Sequence, residues 1–268
     1  MNAESLHIGT NIFVDAYYGD LPDLISCATD AAKLSTLAAT RNFAAKQLIN
    51  LNADFDKIDA AITDSARRLG SGDYFILTIS SHGMVDDQAT TTGWALHDQV
   101  VKRHGPAPSV DAWLARFAAG VRVLVIANCC FSGDTQEPTA LALPRASVRK
   151  IVAKHRREVG AKSDWAFMRV FESAVDFVRA PSIKAFVIFV SACGANQIAL
   201  DGSVSTDPTV FGKRLLGVLS PPNYTTFDNF IELLKMPVDP DRIPEMLTLD
   251  PRSQDFEALG PYRSAPAH

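Results

Sequence analysis

Short apolar runs of strand length alternate along this chain with amphipathic stretches of helix length, and this alternation restricts the fold more than any other sequence feature. Two of the runs, 74–80 (YFILTIS) and 121–127 (VRVLVIA), are nearly continuous in apolar residues, which is typical of strands buried inside a parallel sheet. Parallel strands need crossover connections, and the amphipathic stretches supply them. The sequence therefore predicts an α/β fold, a three-layer sandwich with a mostly parallel central sheet flanked by helices.

The predicted elements follow a βαβα order. Strands are expected at 6–14, 45–51, 74–80, 121–127 and 183–191, and helices at 26–39, 54–69, 110–117 and 211–219. Gly70 and Gly72 follow the helix at 54–69 and are typical stop signals. A partly helical tail with prolines is expected after residue 219. Because no internal repeat or low-complexity segment occurs, we expect a single domain over residues 1–268.

Composition excludes several classes of protein. With 268 residues, 47% of them hydrophobic, the chain can bury a large core and is not globally disordered. Its net charge of −4 has the wrong sign for a dedicated nucleic-acid binder. The longest apolar runs are far shorter than the ~20 residues that span a bilayer, and the opening residues show no export leader. We therefore expect a cytoplasmic protein that binds neither membrane nor nucleic acid.

The four cysteines, Cys27, Cys129, Cys130 and Cys193, are too few and too scattered for a disulfide framework in a chain of this length. None of the spacings CxxC, HxxxH and HExxH occurs, so neither a metal site nor any other cofactor is predicted. The cysteines are interpreted as thiols. Cys129 would face away from Cys130 by strand alternation, and we expect it to be a buried apolar thiol.

Reactive side chains follow the two buried strands. The strand at 74–80 leads into Ser81, His82 and Gly83, and the strand at 121–127 leads into Cys130. Ligands bind outside the carboxyl ends of strands in open parallel sheets, so the imidazole and the thiol can share one crevice. Cysteine catalysis needs a thiol that loses its proton to a nearby base, and a glycine beside the base lets a substrate approach backbone N–H groups.

A His-Gly pair after one strand and a Cys after another, about 50 residues later, resembles the caspase-type cysteine peptidases. More specifically, the chain resembles the metacaspases and bacterial orthocaspases of peptidase family C14. The segment 128–133 (NCCFSG) matches their Asp-Ser-Cys-His-Ser-Gly at Cys, Ser and Gly. Segments 26–31 (SCATDA), 94–98 (WALHD) and 191–197 (SACGANQ) resemble further family motifs in the same order, and the likeness extends from residue 6 to about 215.

The resemblance implies a single caspase-like peptidase domain with a His-Cys dyad that cleaves peptide bonds in protein or peptide substrates. In that dyad His82 is the general base and acid, Cys130 is the nucleophile, and the backbone N–H groups of Gly83 and Cys130 stabilise the oxyanion. We expect a monomer and leave an activating partner open.

The resemblance also places four residues in the pocket for the substrate residue before the cleaved bond, called P1: Asp30, Asn128, Ser80 and Cys27. In metacaspases this pocket is acidic and holds Arg or Lys. Asn128 stands where the family has a second acid, so a neutral or apolar P1 is an alternative to a basic one. Asp30 has a simpler interpretation too, as an acidic residue favoured near a helix start.

Metacaspases that require calcium carry an Asp-Asp pair shortly after the Trp segment, where this chain has Lys102 and Arg103. Cationic side chains do not ligate a hard cation. The departure predicts a peptidase that is independent of calcium.

Two alternatives stay open. The same fold also serves as a catalytically silent interaction module, although silent members usually lack the His or the Cys that this chain has. Residues 143–184 form a basic segment with ten Lys or Arg and four acidic residues. This segment is either a solvated helical face or a linker that the enzyme cleaves. If P1 is basic, self-cleavage is expected near 145–157.

Overall fold

The computed structural model describes residues 1–19, 21–85, 92–105, 107–129, 182–192, 199, 201–220, 224–235, 244–248 and 261–262. In chain order these residues form β1 (Ala3–Gly9), α1 (Asp15–Tyr18), α2 (Cys27–Thr40), β2 (Ala44–Ile49), α3 (Phe55–Arg68), β3 (Tyr74–Ser80), β4 (Gly83–Val85), β5 (Thr92–Ala95), β6 (Val100–Lys102), α4 (Val110–Leu114), β7 (Arg122–Asn128), β8 (Phe186–Ser191), α5 (Val210–Leu219), α6 (Phe227–Lys235) and β9 (Glu245–Thr248). Within these ranges no helix is both long enough and apolar enough to cross a membrane.

Six of the described strands form one sheet in the order β2-β1-β3-β7-β8-β9. The neighbours from β2 to β8 are parallel, and β9 pairs antiparallel with β8. The short strands β4, β5 and β6 form a separate antiparallel sheet. The predicted mostly parallel α/β architecture is confirmed.

Each face of the central sheet buries its own apolar cluster, because successive side chains of a strand point to opposite faces. On β3, Phe75, Leu77 and Ile79 belong to the cluster that includes side chains of α3 and α4. Tyr74 and Ile76 belong to the cluster that includes side chains of α2, α5 and α6. Burial of both faces explains why the strand sequence is nearly continuous in apolar residues.

The helix α3 shows how local sequence sets an element's start and face. Asp54 precedes it, and its carboxylate accepts a hydrogen bond from the backbone N–H of Lys57 at 2.8 Å, which satisfies a donor that the helix leaves unpaired. Ile58 and Ile62, four residues apart, lie buried on the face toward the sheet.

The first strand differs from its predicted range of 6–14, because β1 ends at Gly9. A Cβ at Gly9 would lie 2.3 Å from the carbonyl oxygen of Cys27, so the glycine allows the start of α2 to approach the strand end. The chain then turns into α1, which is only four residues long and has no helical apolar repeat to reveal it. The small sheet of β4 to β6 was not predicted either, since strands of three or four residues show too little periodicity.

Candidate active site

The strands β3 and β7 are neighbours, and Ser80 pairs with Asn128 at their carboxyl ends. The residues that follow both strands therefore begin at one edge of the sheet, as the sequence predicts. His82 follows β3 by two positions. The predicted nucleophile Cys130 follows β7 by two positions and lies outside the described residues, as do Cys193 and the basic segment up to residue 181.

The imidazole of His82 is buried, with 4% of the residue exposed. Its ring lies 5.0 Å from that of Phe13, measured between ring centroids. The Nε2 atom is 2.8 Å from the carbonyl oxygen of Pro22. A carbonyl oxygen only accepts hydrogen bonds, so Nε2 donates and carries the proton, and in the neutral ring the lone pair lies on Nδ1. Nδ1 is therefore the atom of His82 that can take a proton from a thiol.

Burial lowers the pKa of His82 below its ordinary value, because an imidazolium loses its hydration there. The hydrogen bond to Pro22 and the negative charges of Asp201 and Asp23 oppose this effect without reversing it. His82 is accordingly neutral near pH 7, which is the form that a general base requires.

The small sheet fixes the backbone around His82. The carbonyl oxygen of His82 accepts a hydrogen bond from the N–H of Ala95 at 3.0 Å, and Gly83 begins β4 opposite Trp94. The Ser81 hydroxyl donates to the carbonyl oxygen of Ala95. Hydrogen bonds to β5 therefore fix the backbone before and after His82, although β4 and β5 are only three and four residues long.

The four residues predicted for the P1 pocket do come together. Ser80 and Asn128 lie on the face of the sheet that packs against α2, and the first turn of α2 carries Cys27 and Asp30. The Oδ2 atom of Asp30 accepts hydrogen bonds from the hydroxyl of Ser80 at 2.8 Å and from the side-chain amide of Asn128 at 2.9 Å. Burial raises the pKa of the Cys27 thiol, which is therefore a neutral packing group.

Sequence reasoning missed Thr209, which also binds Asp30. The hydroxyl of Thr209 donates to Asp30 Oδ2 at 2.6 Å, and its backbone N–H donates to Asp30 Oδ1 at 3.0 Å. Thr209 is the residue before α5, and its Oγ1 accepts from the N–H of Gly212 at 2.9 Å. A threonine at this position is a typical helix start. No local pattern, however, reveals a contact with a residue 179 positions away.

Asp30 is almost completely enclosed, with 1% of the residue exposed. Burial raises the pKa of its carboxyl group, and the hydrogen bonds from Thr209, Ser80 and Asn128 act in the opposite direction. Asp30, Ser80 and Asn128 are among the residues that line a cavity of about 10 Å³, roughly the room that one water molecule needs. The Oδ1 atom of Asn128 is buried and has no hydrogen-bond partner in the part of the chain that the structure describes.

Residues 201–209, which we call the strap, form hydrogen bonds with the residues at the start of α2. The carboxylate of Asp201 accepts hydrogen bonds from the backbone N–H groups of Ile25 at 2.6 Å and Ser26 at 3.0 Å. The Ser26 hydroxyl donates in turn to the carbonyl oxygen of Val204 at 3.1 Å. The strap thus joins the helix that carries Asp30 to the helix that follows Thr209.

Two further predictions from the sequence concern the burial of Cys129 and the presence of metal ligands. Cys129 is buried in the apolar cluster on the α3 side of the sheet, so the prediction of a buried apolar thiol is confirmed. Among the described residues, no group of three or more His, Cys, Asp or Glu side chains is arranged to hold a metal ion.

The family model for the caspase domain matches residues 6–236. The chain belongs to the caspase domain family. No curated protein sequence matches it.

Two solved structures support the caspase-domain assignment. A protein from Geobacter sulfurreducens is 26% identical, has a TM-score of 0.71, and aligns over 98% of this chain and 99% of its own. Caspase-1 from Spodoptera frugiperda is 12% identical, has a TM-score of 0.57, and aligns over 92% of this chain and 86% of its own. The insect protein is evidence for the fold alone at that identity. The caspase domain is that of a cysteine peptidase family, which agrees with the class of enzyme predicted from the sequence.

Proposed function

We propose that this caspase-domain protein is a cysteine endopeptidase in which His82 and Cys130 form the catalytic dyad. The observation that carries this proposal is the state of His82. Its imidazole is buried and neutral, Nε2–H donates a hydrogen bond to the carbonyl oxygen of Pro22, and the lone pair of Nδ1 is left to accept a proton. A thiol that follows the neighbouring strand by two residues is the nucleophile that such a base would serve.

In the proposed reaction, Nδ1 of His82 takes the thiol proton of Cys130, and the thiolate attacks the carbonyl carbon of the substrate. Backbone N–H groups of Gly83 and Cys130 would stabilise the oxyanion. The imidazolium then protonates the leaving amine as the C–N bond breaks and an acyl-enzyme thioester forms. Water, deprotonated by His82, hydrolyses the thioester and releases the thiol.

We propose that the P1 pocket holds Arg or Lys. A buried carboxylate on Asp30 gives the pocket a negative charge, and Oδ1 of Asn128, which no described residue hydrogen-bonds, is an acceptor beside it. A neutral P1 residue is the second candidate, because the Asp30 carboxylate already accepts hydrogen bonds from Ser80, Asn128 and Thr209.

A peptide library and a thiol-directed peptide probe, applied to the wild type and to Cys130→Ala, test the peptidase proposal. We expect cleavage by the wild type, labelling at Cys130, and a loss of at least about 10³-fold in kcat/KM in the variant. Cys129→Ala is the matched control, since that neighbouring thiol is buried in the core, and it should retain activity if it folds.

Wild-type protein that neither cleaves nor reacts would contradict the proposal and favour a catalytically silent interaction module. Equal labelling of wild type and Cys130→Ala would show that another thiol is the reactive one. The cleavage sites in the library report the P1 preference directly.

A further inference from the structure

The carbonyl oxygen of Pro22, which accepts the Nε2 proton of His82, belongs to a stretch without helix or strand. This stretch, residues 21–26, lies between α1 and α2, and we call it the arch. Helices and strands fix their own carbonyl oxygens through repeated backbone hydrogen bonds, whereas an irregular stretch depends on contacts with other segments. The position of the Pro22 oxygen, 2.8 Å from Nε2, therefore depends on the contacts that hold the arch.

Asn11, which follows β1, makes the first set of these contacts. Its carbonyl oxygen accepts a hydrogen bond from the N–H of Leu24 at 2.8 Å, and its side-chain NH₂ donates to the carbonyl oxygen of Ile25 at 3.0 Å. The Oδ1 atom of Asn11 also accepts from the N–H of Ala28 at 3.1 Å. The end of a central strand thus anchors the arch.

Asp201 makes the second set of contacts from the strap. One carboxylate oxygen accepts from the N–H of Ile25 at 2.6 Å, and the other accepts from the N–H of Ser26 at 3.0 Å. Hydrogen bonds to a carboxylate are roughly twice as strong as those between neutral groups. Asp201 therefore holds two successive N–H groups of the arch, on the same short stretch as the Pro22 oxygen.

Close packing of the strap on the arch depends on Gly202. A Cβ at this position would lie 2.0 Å from the hydroxyl oxygen of Ser26 and 2.8 Å from its Cβ. The Ser26 hydroxyl donates to the carbonyl oxygen of Val204 at 3.1 Å, which is a further contact between the two segments. A larger residue than glycine at 202 would consequently force the strap away from the arch.

The charge of Asp201 also acts on the imidazole of His82. Burial lowers the pKa of His82, and the negative charges of Asp201 and Asp23 act in the opposite direction. A negative charge near the ring favours the imidazolium that forms when His82 takes a proton. Asp201 thus acts on His82 in two ways, through hydrogen bonds to the arch and through its charge, and these effects can be separated by substitution.

On the basis of the His82–Cys130 dyad in the proposed function, we propose that Asp201 is a positioning residue for the reaction. Its carboxylate holds the arch so that the Pro22 carbonyl oxygen stays in line with Nε2–H of His82, which keeps Nδ1 free to take the thiol proton. Asp201 acts through Pro22 rather than on the reacting atoms. Proton transfer depends on distance and alignment, so a small displacement of the ring slows the chemical step.

The kinetics of Asp201→Ala on the best library substrate test this proposal. We expect kcat to fall at least about tenfold and KM to change by less than about threefold, because a misplaced base slows chemistry and leaves substrate binding intact. Asp201→Asn keeps an acceptor oxygen, so on the pH plateau its kcat should stay within about threefold of the wild type. Asp207→Ala removes an exposed acid from the same strap and should match the wild type.

Two kinetic results would overturn the positioning role. A rise in KM with unchanged kcat in Asp201→Ala would show that Asp201 supports substrate binding instead. Equal losses of kcat in Asp201→Ala and Asp207→Ala would show that only the charge of the strap matters.

A measurement without catalysis distinguishes failure of this proposal from failure of the peptidase proposal. In protein labelled with ¹⁵N-histidine, a buried and hydrogen-bonded imidazole N–H exchanges slowly with water and gives its own resonance. His82→Gln identifies the signal of His82. We expect this resonance in the wild type, Asp201→Asn and Asp207→Ala, and its loss in Asp201→Ala, even if the wild type cleaves no peptide. Retention of the resonance in folded Asp201→Ala would overturn the proposal even if the wild type is an active peptidase.

Gly202→Ala replaces Asp201→Ala if the latter fails to fold. It keeps the carboxylate but displaces the strap from Ser26, so kcat and the His82 resonance should both be lost in the same way. Gly217→Ala is its matched control, since nothing lies within 4 Å of a Cβ at that position, and it should retain both. Unchanged kcat and an unchanged resonance in folded Gly202→Ala would overturn the proposal.

Discussion

At the scale of single residues, a backbone carbonyl determines the chemistry of His82. The oxygen of Pro22 fixes the ring tautomer, and any residue type at position 22 would present the same oxygen. Sequence patterns therefore could not identify this partner. His82, Asp30 and Asn128, by contrast, could be predicted as site residues because their side chains stand in segments that resemble motifs of the family.

Asp201 offers a residue-scale test of the electrostatics around His82. Its negative charge raises the pKa of His82, so Asp201→Asn should lower that pKa further and move the acidic limb of the kcat/KM profile to lower pH. The protein binds a proton on His82 less readily when the charge is gone, and the unprotonated base persists into more acidic solution. Profiles of kcat/KM against pH for both proteins provide the measurement.

Asp207→Asn is the control for this comparison, because Asp207 is an exposed acid on the same strap and changes the net charge equally. Its profile should coincide with that of the wild type. A shift of the acidic limb to higher pH in Asp201→Asn, or equal shifts in both variants, would refute the assigned influence of Asp201.

At the scale of elements, one small residue of the helix α5 makes room for the hydrogen-bond network around Asp30. A Cβ at Gly212 would lie 2.0 Å from Oδ1 of Asp30, so only glycine lets this turn approach the carboxylate. Gly217, on the same helix, has nothing within 4 Å of the corresponding position. The two glycines therefore have different reasons to be present.

Gly212→Ala should reduce the free energy of unfolding by about 1–3 kcal/mol, as expected for overpacking of a filled interior. Gly217→Ala should instead increase it by about 0.4–1 kcal/mol, because alanine has less conformational freedom than glycine in the unfolded chain. Urea unfolding of both variants measures the difference. Equal effects of the two substitutions would show that the close contact at Gly212 does not constrain the fold.

The elements that the sequence predicted well are those with a long, regular pattern. The predicted strand at 74–80 coincides with β3, and the helix at 54–69 differs from α3 by one residue at each end. The four-residue helix α1 and the strap have no such pattern. Hydrogen bonds to distant segments hold them in place instead, and a local sequence pattern does not reveal those bonds. The Asp201 carboxylate, for example, binds N–H groups some 175 positions earlier in the chain.

At the scale of the whole molecule, the buried positive charge of Arg103 bears on whether the protein depends on calcium. Arg103, which the sequence analysis relates to the acidic pair of calcium-dependent metacaspases, is 2% exposed and lies 3.4 Å from a carboxylate oxygen of Asp111. Its guanidinium carbon also lies 3.9 Å from the ring centroid of Phe189 on β8. The buried positive charge thus has partners on two separate elements.

We expect peptidase activity to be the same with added calcium and with a calcium chelator, because a guanidinium cannot ligate a divalent cation and the Asp111 carboxylate beside it already pairs with Arg103. Initial rates on the best library substrate under both conditions decide the question. Strong activation by calcium, with no activity in chelator, would show that another group of residues binds the ion.

The strap and Thr209 at its end are synthesised long after the helix that they contact. The residues that surround Asp30 are far apart in the sequence, since Thr209 is made 179 residues after the carboxylate that it binds. A nascent chain that has just released β8 from the ribosome still lacks both of the contacts that Thr209 makes with Asp30. The hydrogen-bond network around Asp30 is therefore completed late in synthesis, when the strands from β1 to β8 are already available to the chain.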